Sequence, residues 1–313
     1  MAVGKISMEP KAAQRRSSPF LIFYAAVYVL FLFLMRRFER FDITEALQIV
    51  FVVGIGFSVL SWGFTWKARP LAFHVKHPKS EGLALCAYFL GIIVFITWGM
   101  NVALPEPQRS ILILLLKLLL FVVLPGLGLL GIWKYPLRAV VTLDGWQRHW
   151  IAALGMSLVL FCFQAVFGQG WAMLRQVKPS VLVFGVPFAY LLLLLEVGLV
   201  EEFFFRVLVQ SRLAALLRSE AGGIVMMSLL FGLAHAPGLY LRAARTQEAV
   251  GTAPSLLLAV GYSIVITSVA GFFLGILWSR TRNLLLVMIV HASGDLLPNT
   301  LSILQAWHWI GRN

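Results

Sequence analysis

Leu191-Leu-Leu-Leu-Leu195-Glu196-Val-Gly198-Leu-Val200-Glu201-Glu202-Phe-Phe-Phe205-Arg206 lies inside an apolar stretch running from about 182 to 208. About 20 apolar residues are what a helix needs to cross the hydrocarbon of a bilayer. Three carboxylates and a guanidinium inside such a stretch cost several kcal/mol each, as an order of magnitude, unless they are paired or hydrated. The segment therefore reads as a membrane-spanning helix with a polar interior face that demands a reason.

Outward from it, similar stretches recur near 20–35, 46–66, 82–104, 110–133, 150–168, 223–240, 255–278 and 284–303. Of the 313 residues, 60% are hydrophobic and 12% charged, against roughly 25% charged in an ordinary soluble domain. This predicts an all-α, polytopic transmembrane bundle of eight or nine segments. It also predicts one integral membrane domain over 1–313, since the connections are short and no low-complexity tract interrupts them.

The net charge of +13 does not call for a nucleic acid. Its source is a set of alternate connections holding Lys67, Arg69, Lys76 and Lys79, then Lys134, Arg138 and Arg148, then Arg206, Arg212 and Arg218, then Arg280 and Arg282. The intervening connections are poorer in positive charge, with Glu106 beside Arg109 and Glu248 beside Arg242 and Arg245. The positive-inside rule then puts the N-terminus in the cytoplasm, with Arg36, Arg37 and Arg40 as an exception on the outer side.

The first segment follows Lys5, Lys11, Arg15 and Arg16 but lacks a small-residue cleavage pattern, so it reads as a retained span. Trp62, Trp66, Trp98, Trp133, Trp150 and Trp278 fall near span ends and read as interfacial anchors. Cys86 and Cys162 sit in apolar spans and behave as small hydrophobes. His74, His77, His149 and His308 read as solvated or interfacial.

The character of the chain changes near residue 180. Residues 1–179 form helices with almost no ionisable groups at membrane depth; Lys117 is the exception and is expected to snorkel toward an interface. Residues 180–303 carry the polar groups. Glu202 and Arg206 are four apart with the acid first, the order that lets the side chains meet on a helix. Glu201 is rotated by about 100° from Glu202 on an α-helix, so it cannot share that pairing. A carboxylate left without a partner is suited to take a proton from water. Glu196 either lines the same cavity or is bonded to a neighbouring helix.

The next span holds Phe231-Gly-Leu-Ala-His235, and the last holds His291-Ala-Ser-Gly-Asp295. Asp295 is placed to accept a hydrogen bond from His291 and fix its tautomer. Counted from the expected cytoplasmic ends near 211, 222 and 283, Glu201, His235 and His291 lie about 15, 20 and 12 Å deep, within a core about 30 Å thick. Polar groups at one depth on three helices imply a hydrated internal cavity. Gly232, Ala234, Gly271, Gly275, Ala292 and Gly294 are small enough to let the helices approach.

These residues resemble the CAAX-processing and bacteriocin-processing (CPBP, or Abi) intramembrane peptidases, which include the Ras-converting CAAX endopeptidase. The resemblance rests on Glu-Glu-x-x-x-Arg at Glu201, Glu202 and Arg206, Phe-x-x-x-His at Phe231 and His235, and His-x-x-x-Asn/Asp at His291 and Asp295. It implies an endopeptidase that cuts a membrane-anchored or lipidated substrate near its C-terminus. In it Glu201 and His235 activate water, and His291 with Asp295 stabilises the oxyanion. Glu202, Arg206 and Phe231 play supporting parts, with Arg206 either holding the site's shape or meeting a substrate carboxylate.

The eukaryotic CAAX endopeptidases have Asn where this chain has Asp295, and the added charge moves the expected role of His291 toward a charged oxyanion partner. The resemblance favours catalysis without a metal; zinc on Glu201, His235 and His291 is the alternative, since three such ligands plus water is a known catalytic arrangement. No Gly-x-Ser-x-Gly elbow is present, and Ser228, Ser263, Ser268 and Ser293 are expected to bond helix carbonyls. Two other functions fit the same residues: a transporter or channel using the buried acids and histidines, and a non-catalytic scaffold of peptidase descent. The basic connections and Asp295 favour a bacterial inner membrane.

Overall fold

The computed structural model describes residues 17–68, 75–99, 104–137, 146–168, 170, 175–242 and 253–311. Outside the described residues, as whole residues or as side chains, lie the sequence readings for Lys5, Lys11, Arg15, Arg16, Arg69, His74, Trp98, Arg138, Arg148, Arg242, Arg245 and Glu248. Among the described residues there is no strand, and nine long helices account for the expected segments. They are α1 Ser18–Phe38, α2 Ile43–Phe64, α3 Pro78–Gly99, α4 Gln108–Gly131, α5 Trp146–Val166, α6 Pro179–Leu217, α7 Glu220–Arg242, α8 Leu256–Thr281 and α9 Leu284–Ala306. Among the described residues, eight helices are long and apolar enough to cross a membrane.

Local chemistry sets the helix starts. The side chains of Asp42, Ser219, Ser255 and Asn283 accept hydrogen bonds from Thr44 N, Gly222 N, Leu258 N and Leu286 N at 2.9–3.1 Å, each satisfying one amide that the first turn leaves without a partner. Pro179 opens α6, where its missing N–H costs nothing. The helix runs to Leu217, well past the expected end near 208. Its basic residues do not stop it because Arg206 and Arg212 are each paired inside the protein, and the chain turns only at Arg218, whose φ of 52° closes the helix in the left-handed region.

Helices α6 to α9 form the centre. α7 packs on α6 and α8, and α9 packs on α6, α8 and α5. Around them, α1 lies on α7 and α8, α2 on α8 and α5, α3 on α6 and α7, and α4 on α6. The apolar windows of α8 and α9 are each 56% buried within the protein and that of α4 only 11%, so the N-terminal helices turn most of their apolar surface outward while the C-terminal ones make the core. Two glycines sit where one helix meets the backbone of another. A Cβ on Gly198 would stand 2.9 Å from the carbonyl oxygen of Met288, and one on Gly232 would stand 2.3 Å from that of Ser263. Gly294, expected to serve the same purpose, has only ordinary contact with Leu160 at 3.8 Å.

Polar ties lock the outer helices to the centre. Tyr24 of α1 shares a 2.8 Å hydrogen bond with Ser268 of α8, so the first span is an integral part of the bundle. Arg280 donates to the Thr65 and Trp66 carbonyls that end α2. Glu81, at the start of α3 and fully buried, accepts from Arg212 Nε at 3.0 Å, Tyr135 OH at 2.8 Å and His77 N at 3.0 Å. Burial raises the Tyr135 phenol above its ordinary range, consistent with its acting as donor in this clasp.

The side chains of Trp62, Trp66 and Trp150 are exposed as interfacial anchors are. Trp278 is not: it is fully buried and donates Nε1–H to Ser211 Oγ at 3.2 Å, because the α6–α8 contact covers its end of the helix. His308 is exposed, as the sequence suggested, and its ring bonds the Glu106 carbonyl at 2.8 Å. The hydroxyls of Ser228, Ser263, Ser268 and Ser293 each bond the carbonyl four residues back, as expected.

Candidate active site

Within α6 the backbone widens twice into π-helical turns, over Leu194–Leu199 and over Glu202–Gln210, with Glu201 at the junction. Such turns are uncommon and concentrate at functional sites. Every side chain from Glu202 to Gln210 is buried, so the segment presents both polar and apolar groups to its neighbours.

Glu202 and Arg206 meet as their spacing predicted: Nε donates to Oε2 at 3.0 Å, and neither side chain has any exposed surface. The other carboxylate oxygen, Oε1, lies 2.7 Å from Nδ1 of His291 across on α9. A carboxylate accepts, so Nδ1 carries the proton. The Arg206 guanidinium also stacks over the Phe231 ring at 5.1 Å, partial compensation for terminal nitrogens that have no hydrogen-bond partner among the described residues.

His235 is oriented by its own helix. Its Nδ1 lies 2.8 Å from the Phe231 carbonyl, which can only accept, so Nδ1 bears a proton and Nε2 is left without a hydrogen-bond partner among the described residues. The Phe231 ring lies between the two imidazoles, with centroids 5.0 Å from His235 and 6.0 Å from His291. Glu201 and His235 are nearly equidistant from the α6–α7 corner, about 24 and 22 Å along their helices. That is deeper for Glu201 than the sequence count gave, because α6 is longer.

His291 departs from expectation in its partner. Asp295 Oδ2 is 3.9 Å from Nε2, beyond hydrogen-bonding distance, so Asp295 does not fix the tautomer; Glu202 does. The four-residue spacing brings Asp295 near, but the rotation of α9 turns Nδ1 toward α6. The Asp295 side chain is 38% exposed and lines a cavity together with His291. Glu201 makes no hydrogen bond among the described residues and is within electrostatic reach of His291 and Asp295; His235 and Lys117 also reach Asp295. The structure thus brings Glu201, Glu202, Arg206, Phe231, His235, His291 and Asp295 into one neighbourhood.

A cavity of about 220 Å³ opens beside His291 and Asp295, between α2, α5, α8 and α9. Its other polar groups, Gln164 and Thr267, escaped the sequence reading; the one available signal was an amide alone in the apolar fifth span. Glu201 and His235 are not among its lining residues. Lys117 does not snorkel: its Nζ pairs with Glu196 Oε1 at 2.9 Å, which also settles the place of Glu196. Among the described residues no group of three or more His, Cys, Asp or Glu side chains is arranged to hold a metal ion.

A polytopic helical membrane protein with acids and imidazoles gathered inside its bundle has the architecture of an intramembrane hydrolase. Residues 183–297 match the family model described as type II CAAX prenyl endopeptidase Rce1-like, and the chain carries a CAAX-protease (CPBP) domain over that stretch. No curated protein and no solved structure matches the chain. The match spans α6 to α9 and every site residue just described except Gln164 and Lys117. Over that stretch the chain is similar to CAAX-type intramembrane endopeptidases, a class that acts in a bilayer on membrane-associated peptides.

Proposed function

We propose that this protein cuts a peptide bond near the C-terminus of a lipidated or otherwise membrane-anchored substrate, using water activated by Glu201 and His235. The observation that carries the reading is the contrast between two adjacent carboxylates. Glu202 is saturated by Arg206 and His291, while Glu201 has no hydrogen-bond partner among the described residues. The first is built to hold a framework and the second to accept a proton.

In this reading a water bonds the free Nε2 of His235 and loses a proton to Glu201 as its oxygen attacks the carbonyl carbon. The carbonyl π pair moves to oxygen. His291, anchored through Nδ1, turns Nε2 toward that oxygen, and a ring protonated on both nitrogens can donate to Glu202 and to the oxyanion at once. Asp295 supports the charge from 3.9 Å, a distance that leaves room for a bridging water. The tetrahedral intermediate collapses, the C–N bond breaks, and the proton held by Glu201 passes to the leaving amine. Arg206 holds Glu202 in place and needs no contact with substrate.

A lipid anchor has somewhere to lie. An apolar cleft of about 300 Å³ runs between α3, α6 and α7, and its wall residue Phe205 packs on Phe231 at 5.3 Å. Basic connections favour the bacterial inner membrane, with the site reached from the bilayer.

The test is cleavage of short membrane-anchored peptides, lipidated and not, by purified protein in detergent. Parent enzyme and Glu201→Gln are compared with and without chelator. Cleavage lost only in Glu201→Gln is the expected result; cleavage lost with chelator would move the chemistry to a metal, and full turnover by Glu201→Gln would sink the mechanism.

A further inference from the structure

We propose that the 220 Å³ cavity between α2, α5, α8 and α9 is a specificity pocket for one apolar side chain of the substrate beside the scissile bond, with Gln164 and Thr267 bonding the adjoining peptide backbone. The inference rests on the peptidase reading and adds which substrate position is selected and by which residues. The cavity is continuous with the site, because His291 and Asp295 are themselves part of its wall. Away from them the lining is apolar, with Val53 and Phe57 of α2 and Leu160 and Phe163 of α5.

Size selects the occupant. About 220 Å³ falls below the roughly 300 Å³ at which pockets begin to hold whole small molecules, so it suits a single side chain better than a lipid anchor. Polarity agrees. Gln164 and Thr267 make no hydrogen bond among the described residues, yet they share the cavity with the His291–Asp295 end. An amide and a hydroxyl with unspent capacity beside the reacting carbonyl are the groups an extended peptide backbone can use. α2 and α5 lie outside the family-matched residues 183–297, so the N-terminal half supplies part of the pocket wall while the catalytic groups all come from the C-terminal half.

The experiment compares peptides carrying Ala, Leu or Phe at each position flanking the cut. The enzymes are the parent, Phe163→Ala, which opens the pocket, Val53→Phe, which fills it, and Glu201→Gln. For the two pocket variants the readout is a ratio of kcat/KM values within one preparation, so partial misfolding cancels; for Gln164→Leu kcat/KM is taken per folded enzyme, with the folded fraction measured by melting. A methylene in an apolar pocket changes such ratios by about tenfold or more. Phe163→Ala is expected to raise the Phe-to-Ala ratio at one flanking position by about that factor, and Val53→Phe to lower it, with the other positions unchanged. Gln164→Leu is expected to reduce kcat/KM by about fivefold on all peptides alike. Unchanged ratios in both pocket variants, with the parent active and Glu201→Gln dead, overturn the pocket and leave the peptidase reading standing. No cleavage of any peptide by the parent overturns both.

Discussion

Replacing Arg206 by alanine removes the partner of a carboxylate that has no exposed surface. Breaking a buried ion pair from one side costs about 3–5 kcal/mol, because the surviving charge stays buried without compensation. Here the survivor keeps one contact, His291 Nδ1 at 2.7 Å, so the expected cost is the lower figure, about 3 kcal/mol. Glu202→Ala is worse. It strips the guanidinium of its carboxylate and releases His291 in the same step, for about 5 kcal/mol. At roughly 2 °C or more per kcal/mol for a chain of this size, melting in detergent should fall by about 6 °C for Arg206→Ala and about 10 °C for Glu202→Ala. The double variant Glu202→Leu with Arg206→Met replaces both charges by apolar groups of similar bulk and should melt closer to the parent than either single variant. Glu202→Ala and the double variant should lose turnover because His291 is no longer held, and Arg206→Ala should lose part of it because the carboxylate that holds His291 has lost its own anchor. An Arg206→Ala protein that melts with the parent, or a double variant that melts at the sum of the two losses, would refute the idea that Glu202 is a shared anchor.

The clasp at the other end of α6 should behave differently. Arg212→Met leaves Glu81 with Tyr135 and His77 N but no cation, and is expected to cost about 3 kcal/mol in melting while the variant's residual cleavage keeps its Glu201 dependence. Gly198→Val should lower stability by about 1–3 kcal/mol, because even its Cβ would press on the Met288 carbonyl oxygen. Gly126→Ala, whose Cβ would meet only Phe203 at 3.8 Å, should melt like the parent; equal melting of Gly198→Val would remove the case for a close α6–α9 crossing.

Much of the fold was legible because a bilayer asks for one thing of each spanning segment, a long apolar helix, and composition records it directly. The length of α6 was not. Arg206 and Arg212 look like the end of a span until their partners are known, and one of those partners, Glu81, lies 131 residues away. Trp278 and Lys117 were misread for a related reason. A residue near a helix end is interfacial only if no other helix covers it, and Ser211 and Glu196 come from elsewhere in the chain.

The sequence by itself determined the helical membrane architecture, the candidate residues on which the proposed chemistry rests, and the one pairing set by helical periodicity, Glu202 with Arg206. Spacing within a helix is a local property, so it survives without tertiary information. Only the tertiary structure decided that Glu202 holds His291, that Asp295 stands off from it, that Lys117 answers Glu196, and that Gln164 and Thr267 share a cavity with the site. Each of those depends on how one helix is rotated against another, and the packing of the whole bundle sets that rotation.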